Sequence, residues 1–422
     1  MSSNQAVFHS SQSSDLQAHP LRTDIRLLFQ AAMVVFVITV GIGILNGLHI
    51  FGQLSADVLL THVHAGTLGW ITLSVFAAGL WLFGEGGENT PAEKNLYIRA
   101  ISILAAIAIP VYVLAFLSGN LIARAIFGFP VLLVITGFFG WIVARSRQVR
   151  LTVARLALLG GIFTLIVGSV IGVILQVQFA TSTPVSAGAL AAHPATQVVG
   201  YLLLIGMAIS EWRLMPDTGK LPRAGVVQIT FPFIAGFILT VGTLLNLTPL
   251  LGLNVLFELI GIFIYIVRFA PRILRISWLA RNSNRFFAFS AIFVVVNVAI
   301  LTYLIVSTIS GIYPSFDVVP PWLFFALDHA MFIGVMSNAL FGLIQIATQE
   351  RRSFWPWADD ILFWGMNFGM VGFVISLLLD ARILERIFTP IMGLSILLAL
   401  VTYTLRMLIP AEPEAVEVRI GA

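Results

Sequence analysis

Most of this chain consists of apolar stretches that are each long enough to cross a membrane. A transmembrane helix needs about 20 predominantly apolar residues, and the hydropathy pattern predicts twelve such spans within the 422 residues. The predicted spans are 25–50, 56–84, 95–118, 121–144, 151–178, 187–212, 223–246, 248–270, 285–310, 320–348, 358–380 and 383–409. The sequence therefore predicts an all-α polytopic membrane protein.

Composition supports this class and excludes several functions. Charged residues make up only 10% of the chain, whereas a soluble domain carries about 25%. The chain has no Cys, which excludes disulfides, Fe–S clusters and thiolate-ligated metals. The basic residues form no patch of the kind that binds nucleic acid, so we expect no nucleic-acid partner.

The distribution of Lys and Arg predicts the orientation, because cytoplasmic segments are enriched in both. If the N-terminus is cytoplasmic, 20 of the 23 basic residues fall on the cytoplasmic side. Only Arg124, Arg382 and Arg386 then lie on the outer side. We therefore expect cytoplasmic N and C termini in a multi-pass protein of a bacterial-type inner (plasma) membrane.

Two short polar segments flank the predicted membrane domain of residues 25–410. Residues 1–24 are rich in Ser, Gln and His and are predicted to form a disordered cytoplasmic tail. Residues 411–422 are predicted to form a short acidic cytoplasmic tail.

Four histidines lie inside the apolar spans: His62, His64, His193 and His329. They occur near the starts of the second, sixth and tenth spans, all of which run inward from the outer face. At about 1.5 Å per residue, each imidazole is expected about 9–14 Å below the outer end of its helix. Four polar rings at one depth in hydrocarbon predict a functional site, since ionisable groups inside membranes are functional by default.

The histidine segments also indicate an internal repeat. Gly69 and Gly200 follow His62 and His193 by seven residues, and Gly334 follows His329 by five, the same offset that separates Gly69 from His64. Successive glycines are four helices apart. The chain is therefore predicted to contain three four-helix pseudo-repeats, over about 25–145, 151–270 and 285–410. Small residues beside the histidines, including these glycines, are expected to let a flat, bulky group approach the backbone.

Neutral imidazole is the commonest metal ligand, and few acids accompany these histidines. The available chemistry is iron in heme, or copper or zinc held by histidines. His62 and His64 are two residues apart, so on a helix their side chains point about 200° apart. Two such side chains cannot easily share one ion, but each can face a different porphyrin. This spacing favours heme, with His193 and His329 as ligands from neighbouring helices.

The segment Thr61-His-Val-His-Ala-Gly-Thr-Leu-Gly-Trp70 resembles the His-x-His-x-Gly-x-x-Gly-Trp element of C-type (cbb-type) oxidases and nitric oxide reductases. Twelve helices, threefold repetition and histidines on helices two, six and ten likewise resemble the catalytic subunit of heme-copper oxidases over about residues 25–409. His193-Pro-Ala-Thr-Gln-Val-Val-Gly-Tyr201 is similar to the sixth-helix segment that begins with a copper ligand. NnrS-type heme proteins have comparable His-x-His elements in an early helix.

The chain departs from the oxidase pattern at three places. The His-x-His pair stands on the second span instead of the tenth, the seventh span (223–246) has no His, and Gln197 stands where the oxidases have Tyr. A three-histidine copper site of the usual kind is therefore not expected, which argues against four-electron oxygen reduction. Two ligand arrangements are open. His193 pairs with His62 or His64 on a low-spin heme, or one of these two pairs with His329 while His193 stands at the copper position.

Two further sites are candidates. In the oxidase family an Arg pair after the eleventh helix holds the heme propionates, which the resemblance assigns to Arg382 and Arg386; the alternative is a salt bridge with Asp380 or Glu385. Glu258 lies in the middle of the eighth span, where a charge is costly. It is a candidate proton relay, and the alternative is a protonated acid that hydrogen-bonds to Asn254.

These observations predict a protein that binds one or two hemes, most simply of the b type, with copper as a less favoured second metal. As an enzyme it would be an oxidoreductase resembling a terminal oxidase or nitric oxide reductase. Its partners would be NO or O2, a cytochrome or quinol donor and accessory membrane subunits. The alternatives are a non-enzymatic NnrS-like heme protein in gas binding or the NO response, and a proton or metal transporter.

Overall fold

The computed structural model of the chain describes residues 16, 19–84, 96–314, 318–351 and 353–409. Within these residues, twelve helices are long and apolar enough to cross a membrane, and each coincides with a predicted span. No helix end differs from its prediction by more than three residues. The helices are α1 (Arg22–Gly47), α2 (Ala56–Gly84), α3 (Leu96–Leu117), α4 (Leu121–Ser146), α5 (Val153–Ala180), α6 (Ala187–Leu214), α7 (Arg223–Leu244), α8 (Thr248–Ile273), α9 (Asn284–Ile309), α10 (Pro321–Ala347), α11 (Ala358–Leu378) and α12 (Arg382–Leu408).

The segment before α1 departs from the predicted tail of residues 1–24. Helix α1 already begins at Arg22, and the side chain of His19 is only 4% exposed. Its Nε2 donates to the Trp81 carbonyl at the end of α2 (3.2 Å), while its Nδ1 accepts from the Leu21 backbone N–H (3.1 Å). These bonds attach the chain to the bundle before α1 begins. Residues 1–15 and the predicted acidic tail 411–422 lie outside the described residues.

Three helices form the centre of the bundle. In α2, α6 and α10, 89%, 78% and 94% of the most apolar stretch is buried, against 33–61% in the other nine membrane-length helices that the structure describes. A helix that is buried on every side packs against neighbouring helices all round. The three histidine-bearing spans are thus the three inner helices.

Each inner helix changes from α to π geometry within three residues of its last histidine. The π segments are Ala65–Thr72 in α2, Thr196–Leu202 in α6 and Ala330–Ser337 in α10, and a shorter one, Ile361–Gly365, lies in α11. A π turn leaves backbone groups without their α-helical partners and occurs frequently at functional sites. In α2 and α10 a side-chain hydroxyl supplies a hydrogen bond to a backbone carbonyl of the π segment. Thr72 and Ser337 each donate to the carbonyl five residues earlier (2.9 and 2.8 Å).

The inner helices contact one another in a cycle. Trp70 of α2 donates from Nε1 to Ser337 Oγ of α10 (2.9 Å), and the Tyr201 hydroxyl of α6 donates to Thr72 Oγ1 of α2 (3.2 Å). Val335 of α10 completes the cycle by packing against Gly206 of α6, where an added Cβ would come within 2.4 Å of it. The residue after each π-segment glycine (Trp70, Tyr201 and Val335) therefore contacts the next inner helix.

The two ends of the bundle differ in chemistry. The inner helices begin, and carry their histidines, at one end, which we call the histidine end. At the other, the arginine-rich end, the described helices contain the buried arginines Arg145, Arg155, Arg285 and Arg406. These side chains bind carbonyl oxygens or carboxylates: Arg285 and Arg406, for example, donate to the two neighbouring aspartates of α11. Such pairing is what allows charged groups to be buried among membrane helices.

Candidate functional site

His62 projects from α2 toward the preceding helix, α1. Its Nδ1 donates to the backbone carbonyl of Thr39 (2.8 Å). One turn further along α1, Gly43 provides the space for the ring, since a Cβ at that position would lie 3.1 Å from His62 Cε1. The orientation of this imidazole is therefore fixed by one carbonyl and one glycine.

His193 is held by α5 in the same way. Its Nδ1 donates to the carbonyl of Gly168 (2.8 Å), and a Cβ at Gly172 would lie 2.7 Å from His193 Cε1. The carbonyl and the glycine are again four residues apart on the preceding helix. The two histidines that precede their π-segment glycine by seven residues thus share one mode of attachment.

His64 and His329, which precede their glycines by five residues, are attached differently. Each donates from Nδ1 to the carbonyl four residues earlier in its own helix: His64 to Leu60 (2.8 Å) and His329 to Phe325 (2.7 Å). An imidazole bonded in this way lies along its own helix.

All four histidines have the same tautomer. A bond from Nδ1 to a carbonyl requires the proton to be on Nδ1, which leaves the lone pair on Nε2. No described residue hydrogen-bonds to Nε2 of any of the four, and each residue is only partly buried. Metal-ligating histidines almost always donate their other ring N–H to a carbonyl, carboxylate or water. The four side chains are therefore arranged as metal ligands are.

Two of the histidines, His62 and His329, lie close together. The centres of their rings are 6.4 Å apart, and the ring planes are inclined by 27°. Two imidazoles that bind one metal ion from opposite sides have ring centres about 6 Å apart, because each metal–nitrogen bond is about 2 Å long. The separation of the His62 and His329 rings is close to this value. His329 is further packed by the edge of the Phe373 ring of α11, at 4.8 Å.

His64 faces a different part of the bundle. Its ring stacks on Phe116 of α3, with centres 3.8 Å apart and planes within 17°. The guanidinium carbon of Arg124 lies 4.7 Å from the centre of the same Phe116 ring. His193 of α6 is within electrostatic range of His64. The two residues of the His-x-His element thus belong to separate groups, one with His329 and the other with His193.

Arg124 is buried, although the predicted topology places it on the outer side of the membrane. Its side chain is 4% exposed. It donates to the carboxylate of Asp57 at the start of α2 and to the Phe116 carbonyl (2.9 Å). Asp57 is therefore the salt-bridge partner of Arg124 and not a candidate metal ligand.

The predicted role of the small residues beside the histidines is wrong for the three π-segment glycines. A Cβ at Gly69 would lie 2.1 Å from Val35 of α1, and one at Gly334 would lie 2.3 Å from Phe293 of α9. At Gly200 it would meet Thr164 of α5 at 3.1 Å. The missing side chain at each of these glycines makes room for the preceding helix and not for a ligand. The glycines that contact the imidazoles of His62 and His193 are Gly43 of α1 and Gly172 of α5.

The remaining predicted site residues lie apart from the histidines. Arg382 and Arg386 are exposed at the start of α12, and neither bonds to another described residue. The predicted alternative, a salt bridge with Asp380 or Glu385, is therefore absent among the described residues. Glu385 is buried and lies 3.4 Å from His49 Nε2.

Glu258 is fully buried in α8, and neither of its carboxylate oxygens has a hydrogen-bond partner among the described residues. The predicted alternative partner, Asn254, lies one turn before Glu258 on α8; its Nδ2 donates to the Ala235 carbonyl of α7 (3.0 Å), and its Oδ1 has no partner among the described residues. An ionised carboxylate without a partner is costly in this setting, which favours a protonated Glu258. Its role as a proton relay stays a prediction.

Several residues of the site were not identified from the sequence. Thr39 and Gly168 contribute through their carbonyls, which carry no sequence signal. Gly43 and Gly172 could have been found, because the 129 residues between them nearly match the repeat offset. Phe116 is one of 33 Phe in the chain and was not distinguishable from the rest.

Across the described residues, no group of three or more His, Asp or Glu side chains is gathered closely enough to hold a metal ion by itself. No model of a known protein family matches the chain, and no curated protein matches it.

Proposed function

We propose that this membrane protein binds heme through His62 and His329 and works in redox chemistry. The main support for the proposal is that the His62 and His329 rings lie 6.4 Å apart, centre to centre, and that each imidazole carries its proton on Nδ1. Bound there, a heme would supply one-electron chemistry. Held by both His62 and His329, the heme would suit electron transfer and not the binding of a gas. The chain has no Cys for thioether attachment, which excludes a c-type heme and leaves the b type as the simplest choice.

A second centre is proposed at His64 and His193, on the other side of α2. Its two Nε2 atoms belong to α2 and α6, and Phe116 forms a flat wall beside His64. His64 would hold a second heme there, next to His193, and that heme would supply the binding of NO or O2. Of the two ligand arrangements that the sequence leaves open, this corresponds to the one in which His329 pairs with His62.

The proposed role is that of a redox protein of the inner membrane that resembles the heme-copper oxidase catalytic subunit and acts on NO or O2. Recurrent π segments, matching Nδ1 bonds on α2 and α6 and the cycle of inner-helix contacts support the threefold repeat. The burial of arginines at one end supports cytoplasmic termini at that end. His62 and His329 would hold the group that transfers electrons, and His64 would hold the group that binds the gas.

The deciding experiment is a visible spectrum of the purified full-length protein, with a pyridine hemochrome assay for heme content. We expect a Soret band and the sharp α band of a low-spin b-type heme in the reduced protein. His62→Ala and His329→Ala should each abolish the low-spin signal. His49→Ala is the matched control, because His49 lies past the end of α1 and contacts Glu385. A colourless protein, or a spectrum that neither His62→Ala nor His329→Ala changes, would refute the assignment.

Carbon monoxide then separates the two centres. Reduced protein should bind CO, and His64→Ala should remove that binding while the low-spin signal of His62 and His329 remains. Consumption of NO or O2 with an artificial electron donor distinguishes a catalyst from a gas-binding protein. If the wild-type protein binds CO but consumes neither NO nor O2, the result favours the non-enzymatic, NnrS-like alternative.

A further inference from the structure

A cavity of about 600 Å³ lies at the arginine-rich end, far from the histidines. It opens between the ends of α2, α6 and α8, the start of α5, and the segments that precede α5 and α7. Nothing in the proposed redox function uses it. Its lining nevertheless combines two properties that together specify a class of ligand.

The first property is positive charge. Five basic side chains line the cavity and only two acidic ones; the basic residues are Arg150, Arg155, Lys220, Arg268 and Arg272. Both acids are already bound within the protein. Glu211 accepts two bonds from Arg268 (2.6 and 2.9 Å), and Asp217 binds Arg150 as well as the Gly219 N–H (2.9 Å). The lining is therefore net positive and favours an anion.

The backbone adds to this field. Helix α5 begins at Val153 in the wall of the cavity and continues for 28 residues. Its N-cap, Thr152, accepts from the Arg155 N–H (3.3 Å), so the helix start is well formed. The N-terminus of a helix carries a partial positive charge that stabilises anions such as phosphate.

The second property is an apolar wall. Leu82, Leu151, Val153, Trp212 and Met215 line the cavity beside the basic groups. The Trp212 ring is held by an edge contact with Trp81 of α2, with centres 5.6 Å apart. Tryptophan is enriched where membrane helices meet the aqueous interface. A ligand that fills this cavity must therefore present an anionic group to one side and hydrocarbon to the other.

We propose that the cavity binds the phosphate headgroup of an anionic phospholipid, with the glycerol and the upper acyl chain against Trp212 and Met215. Basic pockets between membrane helices are known to bind such headgroups. A soluble phosphate ester shares the charge but leaves the apolar wall without a partner. The amphipathic lining therefore favours the lipid.

Lys220 offers the cleanest test. It lies on the exposed rim of the cavity, and its ammonium group has no hydrogen bond or ion pair with another described residue, so its replacement should not disturb folding. Each basic residue near an anionic surface contributes about 1 kcal/mol, which corresponds to a roughly fivefold change in affinity for Lys220→Gln. Lys220→Glu should have a larger effect, and Lys220→Arg should retain wild-type binding.

The experiment uses the full-length protein in neutral detergent and measures binding of phosphatidylglycerol, phosphatidylcholine and inorganic phosphate by native mass spectrometry. We expect phosphatidylglycerol to be retained over phosphatidylcholine, with the loss described for the Lys220 variants. Arg275→Gln is the control, because Arg275 is exposed at the same end but outside the cavity. Equal retention of both lipids, or an unchanged preference in Lys220→Glu, would overturn the proposal. Inorganic phosphate that displaces phosphatidylglycerol at equal concentration would overturn the lipid as the ligand.

Discussion

The imidazole rings of His62 and His329 lie 6.4 Å apart, centre to centre, with their planes inclined by only 27°. The relative orientation of axial ligands affects the electronic structure of a heme iron, as ligand identity does. Two nearly parallel imidazoles give a rhombic low-spin ferric EPR spectrum, whereas perpendicular ones give a strongly anisotropic spectrum. We expect the rhombic form at liquid-helium temperature. A strongly anisotropic signal would contradict the ring orientation, even if both residues were the ligands.

The glycines beside the imidazoles should be sensitive to added volume. Gly172→Ala would place a Cβ 2.7 Å from His193 Cε1, so the ring must move, while Gly43→Ala would approach His62 at 3.1 Å and require a smaller shift. We expect Gly172→Ala to alter CO binding at the second centre and Gly43→Ala to shift the low-spin band slightly. Gly41→Ala is the matched control, since nothing lies within 4 Å of its added Cβ. If Gly41→Ala altered the spectrum as strongly as the other two variants, the change would come from replacing a helical glycine and not from contact with an imidazole.

Arg124 should influence the second centre through its charge. Its guanidinium carbon lies 4.7 Å from the Phe116 ring, which stacks on His64. A nearby positive charge stabilises the reduced form of a metal, so Arg124→Gln should lower the midpoint potential of the His64 centre by tens of millivolts. The potential of the His62 centre should move less. Redox titration of both bands tests this, with Arg147→Gln at the arginine-rich end as the control. Equal shifts at both centres would exclude a local charge effect.

The contacts between inner helices should contribute measurably to stability. Trp70→Phe removes the bond from Nε1 to Ser337 Oγ (2.9 Å) while keeping an aromatic ring. Interhelical hydrogen bonds in membranes contribute about 0.6 kcal/mol on average, and the smaller ring leaves a cavity at this fully buried position, so the free energy of unfolding should fall by about 1–3 kcal/mol. Denaturation in mixed micelles measures the change. Trp357→Phe, at a position that is 48% exposed, should have no effect.

His19 gives the attachment of the N-terminal segment a pH dependence. Burial lowers the pKa of His19 from 6.5 to about 4, against the opposing effect of its bond to the Trp81 carbonyl. Since Nδ1 accepts the Leu21 N–H, only the neutral ring fits. The detached segment binds the proton more readily, so attachment is complete above pH 6.5 and weakens as the pH falls toward 4.

Cysteine labelling can follow this transition, because the natural chain has no Cys. Leu16→Cys places a thiol at a position that is 4% exposed. Its labelling rate, relative to that of the exposed position in Pro20→Cys, should rise as the pH is lowered from 7 to 5. In His19→Gln the ratio should no longer depend on pH in this range. A ratio that is constant in the otherwise wild-type protein would contradict the prediction.

The spans could be predicted from the sequence because hydropathy is a local property. Each of the twelve helices follows from its own run of apolar residues, and no contact between helices is needed to locate it. The gathering of His62, His64, His193 and His329 at one end could also be predicted, since it depends only on helix direction and depth.

The partners of these histidines could not be predicted, because they depend on the rotation of each helix about its axis. His62 and His64 were equally good candidates to face His329 until the rotation of α2 was known. The π segments that follow them are formed by ordinary residues whose hydrogen-bond register is decided by packing against neighbours. For the same reason Gly69, Gly200 and Gly334 were assigned to a ligand, although the preceding helices occupy that space.

The π segments make the side-chain directions in the two halves of each inner helix independent of each other. In an α-helix each residue advances the side-chain direction by about 100°. The direction of His62 would therefore determine the direction of every later side chain in α2. The wider turns of Ala65–Thr72 shift this angular phase between the two halves of α2. The direction of the imidazoles is then set independently of the face that packs toward the arginine-rich end. Deleting one residue from such a segment would rotate one half against the other and leave the sequence of both halves intact.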